Sequence, residues 1–401
     1  MRIVAISQVV TLIGFNFSYP FLPLFIQELG VTDRSELALW TGLVIGGSGI
    51  AMALASPVWG LLADRFGPKA MYVRSLGAGT LVLGLQSFVL TVPQLVAVRL
   101  ANGALTGSQT AGAMLLASIV PRDRTGASLG LLSAAAQVGN LVGPVLGGVV
   151  VAAIGLRSSF LVGAALLAAC AIGAALYVRE GGDHALPTAP RLRAREVLVP
   201  FGWPSLRGVL IVGAAVHLLN AGSAGVIAIY VQDLARPSWL TLEMAVGLVF
   251  ALGAAAAAAT MPLLGGRADR GDPRRQLAAS LALFAVSLLP QVVLPNALAF
   301  LLARVATGVA LAGVITSMAV LTRSAAPAGA EGRAFGALAT VQNLGWGTGP
   351  IVGSAFAAVA GIPALYLWTA LLMIVFAGLV GASPRLFGRP ETFVPASRHV
   401  R

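Results

Sequence analysis

The groups able to do chemistry in this chain are few, and most are charges set beside long apolar runs. Asp64, Arg65 and Lys69 share ten residues with Gly60 and Gly67. Asp269 and Arg270 repeat that pattern 205 residues later, within residues 265–274. Arg99 and Arg304, also 205 apart, lie inside apolar stretches, where a cation is costly and normally faces a partner or a cavity. His217 is the one group inside such a stretch that titrates near neutral pH. Cys170 is the lone cysteine, and His184, His217 and His399 are far apart, so no Cys/His metal set exists. Nothing resembles a nucleophile–base pair or a phosphate-binding loop. The chemistry on offer is the pairing and movement of charge. No enzymatic activity, cofactor or metal is expected.

These groups must be positioned by membrane helices. The chain is 58% hydrophobic and only 10% charged, against about 25% charged residues in soluble domains. Residues 125–156 and 334–384 contain no Asp, Glu, Lys or Arg. A helix needs about 20 apolar residues to cross the hydrocarbon, and these segments lack the alternation of a membrane barrel strand. Twelve spans follow, at about 3–27, 38–62, 70–91, 94–119, 127–153, 158–179, 206–232, 243–264, 276–294, 297–322, 333–359 and 363–383. The first reads as a retained span, being too long for the apolar region of a signal peptide and lacking a small-residue cleavage site.

The net charge of +12 has a topological explanation. Of the 26 basic residues, 21 fall on the side of the N-terminus, while Arg34, Arg157 and Arg236 occupy the other. Excess Lys and Arg marks the cytoplasmic side, which puts both termini there and removes any need for a nucleic-acid partner. The polar, proline-rich segment 181–205 divides the spans six and six. The expected organisation is an N-terminal six-helix bundle (1–180), a cytoplasmic linker (181–205), a C-terminal bundle (206–384) and a cytoplasmic tail (385–401).

The halves echo each other beyond their charges. Gly103 and Gly308 keep the spacing of 205, while Gly139/Gly345, Gly143/Gly349, Pro144/Pro350 and Gly147/Gly353 differ by 206. Matched positions in one order imply two parallel repeats of six helices about an axis along the membrane normal.

Three motifs carry a family resemblance. Gly60-x-Leu-Ala-Asp64-Arg65-x-Gly67-x-Lys69 resembles the loop between spans 2 and 3 of the major facilitator superfamily. Arg99-x-x-x-Gly103-x-x-x-Gly107 is similar to its span-4 motif. Gly139-x-x-x-Gly143-Pro144-x-x-Gly147-Gly148 resembles the span-5 motif of its twelve-span drug/proton antiporters. The opening Tyr19-Pro20-Phe-Leu-Pro23 also looks like the first span of bacterial multidrug exporters. The resemblance implies an all-α membrane fold of two six-helix bundles and a transporter working by alternating access. It implies that Asp64 meets the start of span 11 and latches the cytoplasmic side shut, with Asp123 a further partner for Arg65 or Lys69. Pro68 stands where the family often has Arg.

For several residues two readings stay open. Asp64 and Asp269 mark state-locking turns or merely solvated ones. Arg99, with Asn102, Thr106 and Gln109 at helical spacing below it, faces a cavity or snorkels to the outer surface. Gly143-Pro144 removes a backbone hydrogen bond and predicts a kink, serving as hinge or as close packing. The candidate substrate-contacting groups are Asn16, Tyr19, Asn102, Gln109, Gln137, Asn140, His217, Asn220, Gln342, Asn343 and Trp346. Scattered hydrogen-bonding groups in an apolar pocket suit lipophilic or amphipathic compounds better than sugars. No Asp or Glu lies in the middle of any span. Coupling to protons therefore falls to Asp64, Glu28, His217 or Arg99. The expected partners are a small-molecule substrate, protons and the bilayer, for a monomer in a bacterial-type inner membrane. The rivals are a sugar or metabolite transporter on the same fold and a non-transporting membrane sensor.

Overall fold

The computed structural model describes residues 2–120, 125–178, 199–294, 296–327 and 330–382. Their secondary structure is helical, with one isolated bridge between Ala235 and Asn296. Eight stretches among them are long and apolar enough to cross a membrane. In chain order the helices are α1 (Arg2–Ser18), a 3-10 turn (Tyr19–Phe21), α2 (Leu22–Glu28), α3 (Arg34–Phe66), α4 (Pro68–Gln86), α5 (Val92–Leu105), α6 (Ser108–Ile119) and α7 (Thr125–Tyr177). The second half supplies α8 (Pro204–Gly225), α9 (Ile227–Gln232), α10 (Leu242–Arg270), α11 (Pro273–Val293), α12 (Ala297–Ala325), α13 (Glu331–Ala360) and α14 (Ile362–Ala382).

Local signals set these boundaries, and they repeat between the halves. Pro68 and Pro273, 205 apart, begin α4 and α11, where a missing N–H costs nothing. Pro68 is thus a helix-starting residue with a counterpart. Thr91 and Asn296 hold equivalent N-caps; the Gln94 side chain accepts from the Thr91 N–H, and Asn296 Oδ1 accepts from the Leu298 N–H. Gly155 (φ 81°) breaks α7 into two antiparallel runs, and Gly361 (φ 86°) separates α13 from α14 in the same way. The first span bends at Tyr19–Phe21, and its counterpart bends at Val226 between α8 and α9.

One expected span differs. The stretch read as a single helix over 94–119 is two, α5 and α6, because Thr106 and Gly107 leave the helical region and Gly107 is left-handed (φ 107°). Pro144 and Pro350 each lie inside a helix that continues through them without a break. The carbonyls of both prolines lie against a glycine of the opposite half, Gly247 for Pro144 and Gly42 for Pro350.

Glycine sets the packing. Within the halves, α1 packs on α7 and α13 on α8. A Cβ on Gly147 would collide with the Phe17 carbonyl, and one on Gly353 would lie 2.5 Å from Gly222. Gly103 presses on the Ser48 carbonyl of α3, and Gly308 presses equivalently on Gly253 of α10. Small residues permit this approach, which is what holds helices together where lipid gives little hydrophobic drive. Between the halves, α3 packs on α13 and α7 on α10.

Candidate functional site

The halves meet at one end of the molecule. A Cβ on Gly42 would lie 2.7 Å from the Pro350 carbonyl, and one on Gly247 would lie 2.5 Å from that of Pro144. These contacts are symmetry equivalents, so each Gly-Pro motif rests on a glycine of the opposite half. Gly46 and Gly49 of α3 meet Gly347, and Gly148 of α7 meets the Glu243 carbonyl of α10. Beyond them, Gln27 Nε2 donates to Gln232 Oε1 at 3.0 Å and Gln232 Nε2 donates back to Gln27 Oε1 at 2.6 Å. Arg34 makes a bidentate ion pair with Asp233. Toward the other end, Gly332 and Gly336 of α13 and Gly266 of α10 have nothing within 4 Å of a built Cβ. Leu54 of α3 and Leu263 of α10 are each 75% exposed. The described contacts close one end of the seam and leave the other apart.

The polar candidates fall beside this seam in two groups. In the first half Asn16 Nδ2 donates to Asn140 Oδ1 at 2.9 Å and to the Leu12 carbonyl at 2.9 Å. Asn140 Nδ2 donates in turn to Gln137 Oε1 at 3.0 Å, and Gln137 is exposed. In the second half the His217 Nδ1–H donates to the Gly213 carbonyl at 3.0 Å, which leaves Nε2 as the ring's acceptor. Gly345 rests against the His217 backbone side, so α13 brings half-buried Gln342 and exposed Asn343 and Trp346 next to α8. Gln137/Asn343 and Asn140/Trp346 keep the 206-residue spacing, one or two turns before each Gly-Pro pair. Asn220 is half-buried on α8. Among the described residues, no Asp or Glu joins either group.

Arg99 lies behind the first group. It is only 7% exposed, and its Nη2 donates to Ser48 Oγ at 3.1 Å and its Nε to the Val44 carbonyl at 3.4 Å. Its guanidinium is 5.8 Å from the centre of the Tyr19 ring. It therefore ties α5 to α3 and to the bend of the first span. Asn102 is buried, and its side-chain and backbone oxygens accept from Thr106 Oγ1; Gln109 is exposed on α6.

The charged turns sit at the open end. Asp64 and Arg65 belong to the last turn of α3, and Gly67 (φ 83°) ends it before Lys69 enters α4. Gly60 lies within α3. The Asp64 side chain and Asp123 lie outside the described residues. The close glycine contacts of α3 with α13 lie at Gly42, Gly46 and Gly49, roughly 25 Å along the helix from Asp64 at about 1.5 Å per residue. Asp269 and Arg270 are exposed at the end of α10. Asp272 caps α11 and pairs with Arg274 and Arg275 at 3.8 and 3.5 Å. Glu28 is exposed at the end of α2, on the closed side. No cluster of three or more His, Cys, Asp or Glu able to hold a metal occurs among the described residues.

Three features went unread in the sequence. Gln27 and Gln232 are 205 apart, so the repeat itself was a signal that they meet on the pseudo-two-fold axis. Arg34, which begins α3, and Asp233, which follows α9, sit beside them. The third is the junction of α5 and α6. Its freed carbonyls are caught by the Trp59 indole, which donates to the Ala104 carbonyl at 2.6 Å, and by Arg74, which donates to the Leu105 carbonyl at 2.8 Å. The Arg74 guanidinium stacks on Trp59 at 3.4 Å. A glycine with polar neighbours in mid-span was the only signal for this break.

Comparison with known proteins places this arrangement. The family model described as Major Facilitator Superfamily matches residues 4–242 and 210–399. The "Multidrug resistance protein MdtG" of Enterobacter lignolyticus is 32% identical over 386 residues, covering 96% of this chain and 91% of the relative. That of Serratia proteamaculans is 32% identical and covers 90% and 88%. Among solved structures, a bacterial homologue of the human lysosomal transporter Spinster, inward-facing and occupied, aligns with a TM-score of 0.74 at 14% identity, over 98% of this chain and 97% of that one. The human organic anion transporter MFSD10 aligns with a TM-score of 0.68 at 17% identity, over 94% and 98%.

Proposed function

This chain belongs to the major facilitator superfamily, and from that premise we propose that it is a secondary active exporter of lipophilic or amphipathic small molecules, working by alternating access and driven by proton antiport. The observation that carries the reading is the one-ended seam: halves packed through Gly42–Pro350 and Gly247–Pro144 and apart beyond them. A transporter trapped at one stage of a rocking cycle has this form. The name carried by its relatives in Enterobacter and Serratia, multidrug resistance protein, supports the direction and breadth of transport.

In this reading the chain crosses the membrane twelve times, with both termini in the cytoplasm. The basic bias then makes the closed end extracellular and the conformation inward-facing. Substrate enters from the cytoplasm or inner leaflet and meets Asn16, Gln137, Asn140, Tyr19, Asn102 and Gln109 on one wall and His217, Asn220, Gln342, Asn343 and Trp346 on the other. Return to the outward-facing state opens the Gln27–Gln232 pair and engages Asp64, with Arg65, Lys69 and Asp123, across the cytoplasmic end; Asp269 and Arg270 form the equivalent turn. Protons are carried by Asp64, Glu28 or His217, with Arg99 tuning the site through Tyr19. The protein acts as a monomer in the inner membrane.

The test is expression in a host stripped of its own exporters, against a panel of toxic compounds. Protection that a protonophore abolishes is the expected result. Absence of protection across the panel, with uptake of a nutrient instead, would overturn the reading.

A further inference from the structure

The correspondence between the halves fails at one packing contact. In the first half Gly14 of α1 and Gly163 of α7 bring two helices together backbone to backbone, and a Cβ on Gly163 would lie 2.9 Å from the Gly14 carbonyl. The residues 205 and 206 positions later are Leu219 on α8 and Thr369 on α14, whose side chains exclude so close an approach. A cavity of about 100 Å³ lies there instead, lined by Leu219 and Gly222 of α8, Gly353 and Phe356 of α13, and Trp368 and Thr369 of α14, among others. Phe356 and Trp368 form one wall, their rings 6.0 Å apart and 14° from parallel. Trp368 and Val352 are exposed, so the cavity opens on the outer surface of the second half, which faces the bilayer in a membrane-spanning chain.

Thr369 is fully buried and its hydroxyl has no partner. A threonine inside a helix can satisfy itself on the carbonyl four residues back, as Thr260, Thr307, Thr316 and Thr348 do. Thr369 makes no such bond, which leaves its hydroxyl for an occupant of the cavity. Water is a poor occupant, because it needs at least two polar partners and, apart from the Trp368 indole, Thr369 is the only lining side chain able to hydrogen-bond. A lipid acyl chain would fill the volume and leave the hydroxyl unsatisfied, which is costly in apolar surroundings. A flat apolar body carrying one hydroxyl meets both demands.

We propose that this cavity is a binding site for a small neutral phenol or alcohol that enters from the bilayer, with its ring against Phe356 and Trp368 and its hydroxyl paired with that of Thr369. An enclosed apolar cavity of about 150 Å³ takes benzene, so this smaller, open one admits a single ring whose edge remains in the opening. Among the described residues no charged group lines the cavity, which excludes ionic ligands. Binding there does not depend on what the protein transports.

The test is quenching of tryptophan fluorescence by 4-bromophenol, with the purified full chain in lipid nanodiscs and in a W346F background, so that the tryptophan of the seam does not report. A saturable component is expected above the linear background of partition into the lipid. W368F, which keeps an aromatic wall, is expected to abolish it. T369V, which keeps the shape and removes the hydroxyl, is expected to raise the half-saturating concentration about fivefold, and T369S to leave it within about twofold of the parent. Bromobenzene, which has no hydroxyl, is expected to bind the parent and T369V alike. Crystals soaked in 4-bromophenol are expected to show a bromine anomalous peak beside Gly222, Gly353 and Trp368. Quenching that is linear throughout, a saturable component that survives W368F, equal half-saturation in T369V and T369S, or no bromine peak between α8, α13 and α14 would each overturn the proposal.

Discussion

Gln27 and Gln232 exchange two amide hydrogen bonds across the junction of the halves, at 3.0 and 2.6 Å, and their numbers differ by the 205 residues that separate the repeats. A residue that meets its own counterpart must lie on the axis relating the two halves. Any tilting of the halves away from that axis which opens this end must break both bonds together. Replacing both with Glu sets two like charges in contact. The Q27E/Q232E pair is expected to shift the population toward the state open at this end by tenfold or more, since about 1.4 kcal/mol already gives tenfold. Spin labels on α3 and α13 near the Gly46–Gly347 contact would report the distance. An unchanged distance distribution would remove the pair from gating.

The Arg34–Asp233 ion pair lies beside it and is exposed, with 60% and 41% of the two side chains accessible. Exposed pairs contribute little, typically below about 1 kcal/mol. D233N alone is therefore expected to change the same distance distribution far less than the glutamine double variant. A larger effect from D233N would reverse the order of importance.

Close packing at glycine gives a graded expectation for stability. A methyl on Gly147 or Gly308 would overlap a backbone carbonyl of the neighbouring helix, which cannot move aside as a side-chain tip can. G147A and G308A are expected to lose several kcal/mol or fail to accumulate as folded protein. Gly77, inside α4 with nothing within 4 Å, is the control. G77A is expected to be neutral or to stabilise by up to about 1 kcal/mol through helix propensity. Detergent-resistant yield and unfolding temperature read both.

How much of this was legible beforehand follows from which forces are local. Apolar windows, proline at helix starts, turn glycines and the 205-residue echo act within a few residues of themselves. They gave an all-helical chain with a two-fold echo, and left gaps between spans at 63–69, 154–157 and 360–362, where Gly67, Gly155 and Gly361 interrupt the helices. The division at Gly107 was not legible, because its cause is tertiary: Trp59 and Arg74 come from other helices to take the carbonyls that the break releases. Arg74 reads in sequence as one more cytoplasmic cation, and only the fold turns it toward α5. The Gly-Pro motif was legible as a pattern and not in its setting: Pro144 lies inside α7, and its carbonyl rests against Gly247 of the other half, a contact that only the fold creates.

That break gives its own test. Without the Arg74 guanidinium the exposed Leu105 carbonyl loses its donor and the Trp59 ring its stacked partner; a single hydrogen bond contributes about 0.5–1.5 kcal/mol. R74L is expected to lower the unfolding temperature by several degrees, and R74K to recover only part, because an ammonium cannot both stack flat on Trp59 and reach two carbonyls. Full recovery by lysine would mean that charge alone, and not the stacked fork, closes the break.

The polar wall of the seam carries amides and a histidine and, among the described residues, no carboxylate. Such a wall gives a cationic drug no counter-charge, while the buried guanidinium of Arg99 stands behind Tyr19. Neutral and anionic amphiphiles are therefore expected to be exported in preference to cations of equal hydrophobicity. Asn16 is the position at which to reverse this, since its side chain is half-buried beside Asn140 and Gln137. In N16D the Asn140 amide can turn to donate to the new carboxylate, so the network survives with a negative charge at its centre. A charge interaction of about 1–2 kcal/mol at this depth is expected to raise protection against cationic compounds roughly tenfold relative to neutral ones. The measurement is the ratio of inhibitory concentrations for matched cationic and neutral compounds in an exporter-deficient host. An unchanged ratio, in a variant that still protects against the neutral compound, would place Asn16 off the substrate path.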